Sequence, residues 1–431
     1  MKVPLACALI FPLALTQACT REPAPTLRAE ATSLTGACRV AAASNTGSDA
    51  DITKLQQDLR DGRASSRSAE LLGYRFVARA RVSNDAGFYT LAEQAAACLE
   101  SIQPGDPAAL LLRGHVLHQL HRFGEAEVIA RRLVTLREFV LDYGLLGDVL
   151  MEQGRLSEAA VAYQKMVDLK PFYQSYIRAA HLRWLKGDLD GAIALMHSAI
   201  RAVSPRDPES VAWAYSRLAV YELQRGQLAE ASRMTDASLQ HVPDYAAALL
   251  TRGRIQLAEK NYVEAAVTLQ KAAAVNPLHE YRWALADALR SLSRNDEAAA
   301  VEQQLVAQGS EDPRTLALFL STRREDPVKA VALARQELEK RNDVFTLDAL
   351  AWALASSGEI AEASSIMTRA LAEGTEDARL FLHAAAIAAA DGRHADARRW
   401  ASQAQALHFT LLPSELGVLR TGIVASPRRR G

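Results

Sequence analysis

The sequence is poor in aromatic residues, carries no net charge and has only four cysteines. Aromatic residues make up 6% of the 431 positions, whereas 49% are hydrophobic, and much of that share is alanine, leucine and valine. This composition favours helices. Lys plus Arg and Asp plus Glu both total 50, which excludes a whole-chain positive field for nucleic acid. We therefore expect no nucleic-acid partner, and the lack of CxxC spacing disfavours a structural zinc site.

The usual catalytic signatures are also missing. There is no GxSxG, no HExxH and no GxxxxGK[ST]. His279 begins a zincin-like pattern, but Trp283 stands where the second histidine would be. His115, His118 and His121 recur every three residues, yet the first and last lie about 120° apart around a helix, so the three cannot face one ion. The sequence predicts no enzyme, no metal and no cofactor.

The N-terminus has the layout of an export signal. Lys2 precedes an apolar stretch over residues 3–15, which is too short to span a bilayer but suits a secretory signal peptide. Ala18 followed by Cys19 resembles the lipobox of bacterial lipoproteins, in which the cysteine becomes the lipidated first residue, although Leu15 lies four positions before Cys19 where the family usually has three. We predict a signal peptide over 1–18 and lipidation at Cys19. Plain cleavage after Ala18 and an uncleaved anchor remain alternatives.

This signal predicts an exported protein, lipid-anchored in the cell envelope on the periplasmic face of the outer membrane, or otherwise periplasmic or secreted. Residues 19–50 are rich in Ala, Ser, Thr and Pro and show no apolar period, so we predict a flexible tether. In an oxidising compartment Cys38 and Cys98 could form a disulfide, or they could be an unpaired linker residue and a buried helix residue. Both alternatives stay open.

A repeat organises the rest of the chain. Two series of mostly small residues run together, and each member of the second lies 12 residues after its partner in the first. The first series is Gly114, Gly147, Ala180, Ala219, Gly253, Ala286, Leu318, Ala351 and Ala385. The second series is Ala126, Ala159, Ala192, Ala231, Ala265, Ala298, Ala330, Ala363 and Ala397. Small residues recur where two helix backbones cross closely, so the series predict nine helix pairs of about 34 residues each.

This pattern resembles the tetratricopeptide repeat. In the unit over residues 246–279, the residues on pattern are Leu249, Gly253, Tyr262, Ala265, Leu269 and Pro277. The resemblance implies an all-α, right-handed superhelix over 107–411, with units starting near 107, 140, 173, 212, 246, 279, 311, 344 and 378. It departs from the family at a longer loop over 204–208 and in the seventh unit, whose helices should be short or shifted. We predict a degenerate helical pair over 51–106 and a tail over 412–431.

The resemblance also implies a concave groove lined by the first helix of each pair. The family's groove positions place these residues there: His115, His118, Asp148, Met151, Glu152, His181, Trp184, Trp213, Arg254, Trp283, Asp287, Arg290, Phe319, Asp348 and Trp352. Four of the five tryptophans are in this set, and Trp and Arg are enriched at the energetic centres of interfaces. The alternative is that these aromatic residues fill space between neighbouring helices.

The function predicted from these features is a non-catalytic scaffold or adaptor of the cell envelope, which binds a protein or peptide in the groove. The whole chain is similar to uncharacterised bacterial secreted tetratricopeptide-repeat proteins and lipoproteins. The alternative function is a module that binds or assembles envelope polymers, with groove tryptophans stacked on glycan or peptidoglycan. Fold alone does not separate these two functions, and the sequence leaves the oligomeric state open.

Overall fold

The computed structural model describes residues 36–43, 49–63, 65–83, 85–308 and 312–422. The predicted signal peptide, Cys19 and most of the predicted tether lie outside the described residues. Within the described ranges the regular structure is entirely helical. The helices are α1 Gly36–Ala43, α2 Ala50–Arg60, α3 Ser66–Ser83, α4 Gly87–Ile102, α5 Pro107–Gln119, α6 Phe123–Arg137, α7 Val140–Glu152, α8 Leu156–Leu169, α9 Tyr173–Leu185, α10 Leu189–Ala202, α11 Pro208–Gln224, α12 Leu228–His241, α13 Ala246–Ala258, α14 Tyr262–Val275, α15 His279–Ser291, α16 Asn295–Ala307, α17 Pro313–Arg323, α18 Pro327–Leu338, α19 Val344–Ser357, α20 Ile360–Leu371, α21 Ala378–Ala390, α22 His394–Ala406 and α23 Pro413–Gly422, with a 3₁₀ turn η1 at His408–Thr410.

Helices α5 to α22 form nine antiparallel pairs, called units 1 to 9 below, from α5 with α6 to α21 with α22. The small residues lie at the crossings between paired helices, because a side chain there would collide with the partner helix. A Cβ on Gly147 would fall 2.3 Å from the ring of Tyr163, and one on Gly253 would fall 2.4 Å from Leu269. All nine alanines of the second series are buried. The chain is therefore an all-α solenoid, as predicted.

Several units begin with a capping aspartate followed by proline. Asp106 precedes Pro107, and Asp207 and Asp312 stand in the same place before α11 and α17. Each aspartate accepts a backbone N–H of the first turn, and proline suits the position because it lacks the N–H that would stay unpaired there. The seventh unit has the short helices we expected, with 11 residues in α17 and 12 in α18.

At the N-terminal end the structure corrects two predictions. Residues 36–43, which we assigned to the flexible tether, form α1, and the segment 51–106 contains three helices instead of one pair. Helix α1 is held by a disulfide between Cys38 and Cys98 and by a hydrogen bond of 3.0 Å from Gln56 to the carbonyl of Ala41. Its buried residues are small, namely Cys38, Ala41 and Ala42, so the sequence shows no apolar period there.

The C-terminal prediction is also wrong in part, since residues 413–422 of the predicted tail form α23. The side chain of Glu415 accepts the backbone N–H of Leu412 at 2.7 Å, which pairs a donor at the start of the helix. Leu412 and Leu419 are buried against the repeats, and Glu415 is fully buried. The Pro413-Ser414-Glu415 run is a helix-start signal that the sequence analysis overlooked.

The solenoid closes on itself. The turns that end α7, α9 and α11 contact the loops that precede α19, α21 and α23, and we call this line of contacts the seam. The backbone N–H of Asn342 donates to the carbonyl of Glu152 at 3.2 Å, and Lys186 forms an ion pair with Glu373 at 2.6 Å. Gln224 donates to the carbonyl of Glu376. The seam joins the first helices of units 2 to 4 to the loops before units 8 and 9 across the groove. Among the described residues no helix is both long enough and apolar enough to cross a bilayer.

Candidate functional site

Seam closure leaves a chamber of about 490 Å³ between the first helices of units 2 to 9. We call it the central chamber. Seven residues of the predicted groove line it, namely Glu152, His181, Trp184, Trp213, Arg254, Trp283 and Asp348. These seven come from six different helices and are brought together by the curvature of the solenoid. The other eight predicted residues lie outside the chamber lining.

One wall of the central chamber is aromatic. Trp184 is buried and stacks on Phe345 from the opposite side of the seam, with ring centroids 5.4 Å apart. The indole N–H of Trp184 donates to Gln224 at 2.6 Å, which fixes the ring. Trp213 is only half-buried, and the guanidinium of Arg217 lies over its ring at 5.7 Å from the centroid. Trp213 is therefore the tryptophan of this wall that a ligand can reach.

The charged groups of the chamber are largely paired. Arg254 bonds to Glu280 at 2.9 Å and Arg341 bonds to Glu152 at 2.7 Å. The other two paired arginines are Arg314, which faces Asp343, and Arg379, which faces Glu415. Among the described residues Arg217 is the exception, because its guanidinium lies over the ring of Trp213 and no carboxylate lies at ion-pair distance from it. It is the chamber cation that is free to receive an anionic group.

Burial shifts the titration of several chamber groups. It raises the pKa of Glu152 to about 7, although the neighbouring Arg341 opposes the shift. It lowers the pKa of His181 to about 3, and the nearby Arg217 adds to the effect, so this histidine is neutral at physiological pH. Burial also raises the pKa of Asp377, which caps α21. The chamber is thus less highly charged than its residue types suggest.

Four predicted residues of units 1 and 2 belong to a separate polar cluster. Asp148 receives three hydrogen bonds from Arg178, at 2.8, 3.1 and 2.7 Å, and one from the Tyr163 hydroxyl at 2.7 Å. Met151 lies beside the same hydroxyl at 3.8 Å. Burial lowers the pKa of His115 to about 4 and also lowers that of His118, so both imidazoles are neutral. No group of three or more metal-ligating side chains with suitable geometry occurs in the ranges that the structure describes.

Three other predicted residues are engaged within the chain. Phe319 is 1% exposed and meets the edge of Trp283, with centroids 5.7 Å apart. Trp352 donates to Thr322 at 3.1 Å and stacks on a histidine, and Arg290 bonds to Glu302 at 2.8 Å. These contacts agree with the alternative that the groove aromatic residues fill space between neighbouring helices. Asp348, which faces the chamber, binds His383 at 2.8 Å.

Two predicted residues, Trp283 and Asp287, contact the chain's own C-terminal helix. The indole N–H of Trp283 donates to the Ser414 hydroxyl at 3.2 Å, and the carboxylate of Asp287 accepts the backbone N–H of Ser414 at 2.7 Å. Arg379 completes this contact by pairing with Glu415.

Sequence reasoning missed seven charged residues of the chamber lining, namely Arg217, Glu280, Arg314, Arg341, Asp343, Asp377 and Arg379. Glu280 and Arg379 occupy the second position of their units, which is one of the groove positions of the family and could have identified them. Arg217 lies one helical turn after Trp213, and only its position over that ring in the structure marks it as a chamber residue.

Comparison with known proteins supports the repeat assignment. Family models described as tetratricopeptide repeats match residues 143–173, 216–277 and 268–313. A search of curated proteins finds no match. Solved structures with similar folds include a human IFIT1 dimer with PPP-AAAA, at 12% identity and a TM-score of 0.46, covering 86% of this chain and 93% of that chain. A human IFIT1 dimer with m7Gppp-AAAA has 14% identity and a TM-score of 0.49, with 72% of each chain covered.

The APC/C hetero-tetramer Cut9-Hcn1 is a third similar structure, at 13% identity and a TM-score of 0.37, covering 85% of this chain and 92% of that chain. The repeat period, the buried small residues at the helix crossings and the family models agree with one another. The chain contains tetratricopeptide repeats over residues 143–173 and 216–313.

Proposed function

We propose that this protein is a non-catalytic adaptor that binds a short segment of a protein partner in the central chamber. Tetratricopeptide repeats support a protein-interaction role in general, and the chamber supports the specific site. Its volume of about 490 Å³ is in the range of pockets that enclose a compact ligand, so it suits a few residues of a peptide better than a long helix. The observation that carries the proposal is the unpaired Arg217 over the half-buried Trp213.

The chamber chemistry defines the kind of segment that fits. Trp213, Trp184 and Phe345 offer apolar area, and Arg217 offers a charge without a carboxylate partner. A segment with an acidic group next to an apolar or aromatic side chain satisfies both. Five arginines and five carboxylates line the chamber, so their formal charges balance and the lining is not a basic patch of the kind that binds a polyanion. We therefore keep nucleic acid outside the proposal.

The proposed location is the cell envelope, with the chain anchored by a lipid at Cys19. The supporting observations are the apolar stretch over 3–15 and the Ala18-Cys19 pair in the sequence. The disulfide between Cys38 and Cys98 adds support, because such bonds persist in oxidising compartments. Expression of Cys19→Ala beside the wild-type chain tests the anchor: the variant should move from the membrane fraction to the soluble periplasmic fraction.

Crosslinking followed by affinity capture from membranes tests the chamber. The double variant Trp213→Ala with Arg217→Ala should lose the partner that the wild-type chain captures. Arg183→Ala is the matched control, since Arg183 lies on α9, is exposed and pairs with Asp188 on the surface. Equal capture by the double variant and the wild type would contradict the chamber site, provided that both melt at similar temperatures.

The glycan alternative remains a second candidate because Trp213 and Trp184 line the chamber. Stacking of a sugar ring on Trp213 would change tryptophan fluorescence when soluble peptidoglycan fragments are added, and Trp213→Ala would abolish the change. A peptide adaptor predicts no such change.

A further inference from the structure

The C-terminal helix α23 lies on the same inner surface that the repeats offer to partners. It contacts α15 and α17 in units 6 and 7, as well as α21 and α22 in unit 9. We define the α23 site by the residues that hold its first turn, namely Trp283, Asp287 and Arg379. Trp283 and Arg379 also line the central chamber, so the α23 site and the chamber share a wall.

Specific polar contacts hold the first turn of α23. The backbone N–H of Ser414 donates to Asp287 at 2.7 Å, the indole of Trp283 donates to the Ser414 hydroxyl, and Glu415 pairs with Arg379. Glu415 is fully buried, and Asp287 is 3% exposed. A buried carboxylate is costly unless it is paired. The site therefore favours a helix whose first turn offers an N–H to Asp287 and a carboxylate to Arg379.

Helix α23 depends on this site for its structure. It has 10 residues, and helices of that length are marginal in water when they are isolated. Its apolar contribution is limited, because Leu419 is its one buried leucine; Leu411 and Leu412, which precede the helix, are also buried. An element recognised by a few charged and polar groups, and unstable by itself, has the properties of a bound peptide that can exchange with another peptide.

We propose that α23 is an intramolecular ligand of a helix-binding site, and that a protein partner binds by replacing α23 with a helix of the same first-turn chemistry. Two leucines precede this helix, a serine lies at its second position, and a glutamate at its third position reaches Arg379. This inference rests on the proposed function, because it assumes that the inner surface binds protein. In the closed state α23 blocks the site and keeps the chain from binding partners that lack this pattern.

Displacement of α23 also alters the central chamber. The guanidinium of Arg379 lies 5.2 Å from the centroid of the Trp283 ring and is neutralised by Glu415. When Glu415 leaves, Arg379 becomes a second unpaired cation on the chamber wall, beside Arg217. Occupancy of the α23 site is therefore coupled to the affinity of the chamber for an acidic segment.

A fluorescent peptide with the sequence of residues 408–422 tests the proposal on the full chain. We expect Glu415→Ala to weaken the resident helix, so that the peptide binds this variant about tenfold or more tightly than it binds the wild type. The same peptide with glutamine in place of Glu415 should lose this binding. Glu373→Ala is the control, since it removes an ion pair of the seam and leaves α23 unchanged. Equal anisotropy curves for Glu415→Ala and wild type, or equal binding of the two peptides, would overturn the proposal.

Hydrogen exchange on the wild-type chain gives a test that does not depend on a folded variant. Saturating peptide should accelerate amide exchange over 414–420 while α15 stays protected. Unchanged exchange at full peptide occupancy would also overturn the proposal. Neither measurement uses the chamber ligand, so a failure here leaves the Trp213 and Arg217 experiment to decide the proposed function separately.

Discussion

The backbone N–H of Ser414 donates a hydrogen bond of 2.7 Å to the carboxylate of Asp287, which precedes it by 127 residues. Asp287 belongs to the set that the repeat pattern assigns to partner binding. Its partner in the structure is the chain's own C-terminal helix. This contact links unit 6 to the end of the chain and shows that part of the inner surface is already occupied.

The raised pKa of Asp287 should make the stability of the fold depend on pH. Burial raises its pKa to about 6, above the unfolded value, so the folded chain binds the proton more tightly and this contribution to stability is lost as pH rises from about 4 to above 6. Asp287→Asn keeps an oxygen that can accept the Ser414 N–H and removes the titration. We expect the variant to gain about 1 to 3 kcal/mol relative to wild type between pH 4 and pH 7.5. Thermal unfolding at a series of pH values measures this difference. Parallel pH profiles for the two chains would contradict it.

The seam depends on Arg341. Its guanidinium forms an ion pair with Glu152 at 2.7 Å and lies 5.5 Å from the centroid of the Phe123 ring, so it joins units 1 and 2 to the loop before unit 8. Arg341→Ala should open the seam and increase the radius of gyration measured by small-angle X-ray scattering, because Glu152 loses the cation that offsets its burial. Arg335→Ala is the control, since Arg335 pairs with Glu362 on an exposed surface and should leave the radius unchanged. An unchanged radius for both variants would show that the seam does not need this ion pair.

The sequence predicted the features that depend on contacts between neighbouring helices. It did not predict the seam, which depends on contacts between distant units. The small residues at the helix crossings are a local signal, and they lead to the solenoid directly. The contact between Lys186 and Glu373 joins residues 187 positions apart, and it forms only because small rotations between successive units add up to closure. No sequence motif indicates how large the accumulated rotation is. Trp283 and Asp287 are buried because the closed solenoid places α23 against them. The family pattern therefore identified both as groove residues but gave no sign that the chain's own C-terminal helix contacts them.

The disulfide between Cys38 and Cys98 predicts that reduction loosens the N-terminal end. The two cysteines are 60 residues apart, and a cross-link over a loop of that length stabilises a fold by about 4 kcal/mol in the chain-entropy model. Reduction, or Cys38→Ser, should increase amide exchange in α1 and α2 while units 5 to 9 keep their protection. Mass spectrometry of exchange with and without reductant separates the two regions. Uniform behaviour along the chain would contradict a local role for the bond.

A comparison of two glycines distinguishes the cost of backbone strain from the cost of disturbing the seam. Gly154 and Gly392 both end first helices in the left-handed conformation, with φ of 74° and 76°. A Cβ on Gly154 would fall 2.1 Å from the carbonyl oxygen of Asn342 across the seam, whereas a Cβ on Gly392 meets nothing within 4 Å.

Alanine at either position therefore has the same backbone strain, but only alanine at position 154 would also collide with the carbonyl oxygen of Asn342. Gly392→Ala should cost about 1 kcal/mol, the usual cost of a left-handed alanine, and leave the shape unchanged. Gly154→Ala should cost more and increase the radius of gyration, because the backbone of residues 341–342 has to move away. Chemical unfolding and small-angle scattering on both variants check the pair. Equal losses of stability with equal radii would mean that the backbone at the seam adjusts without separating, and the central chamber would then not depend on this contact.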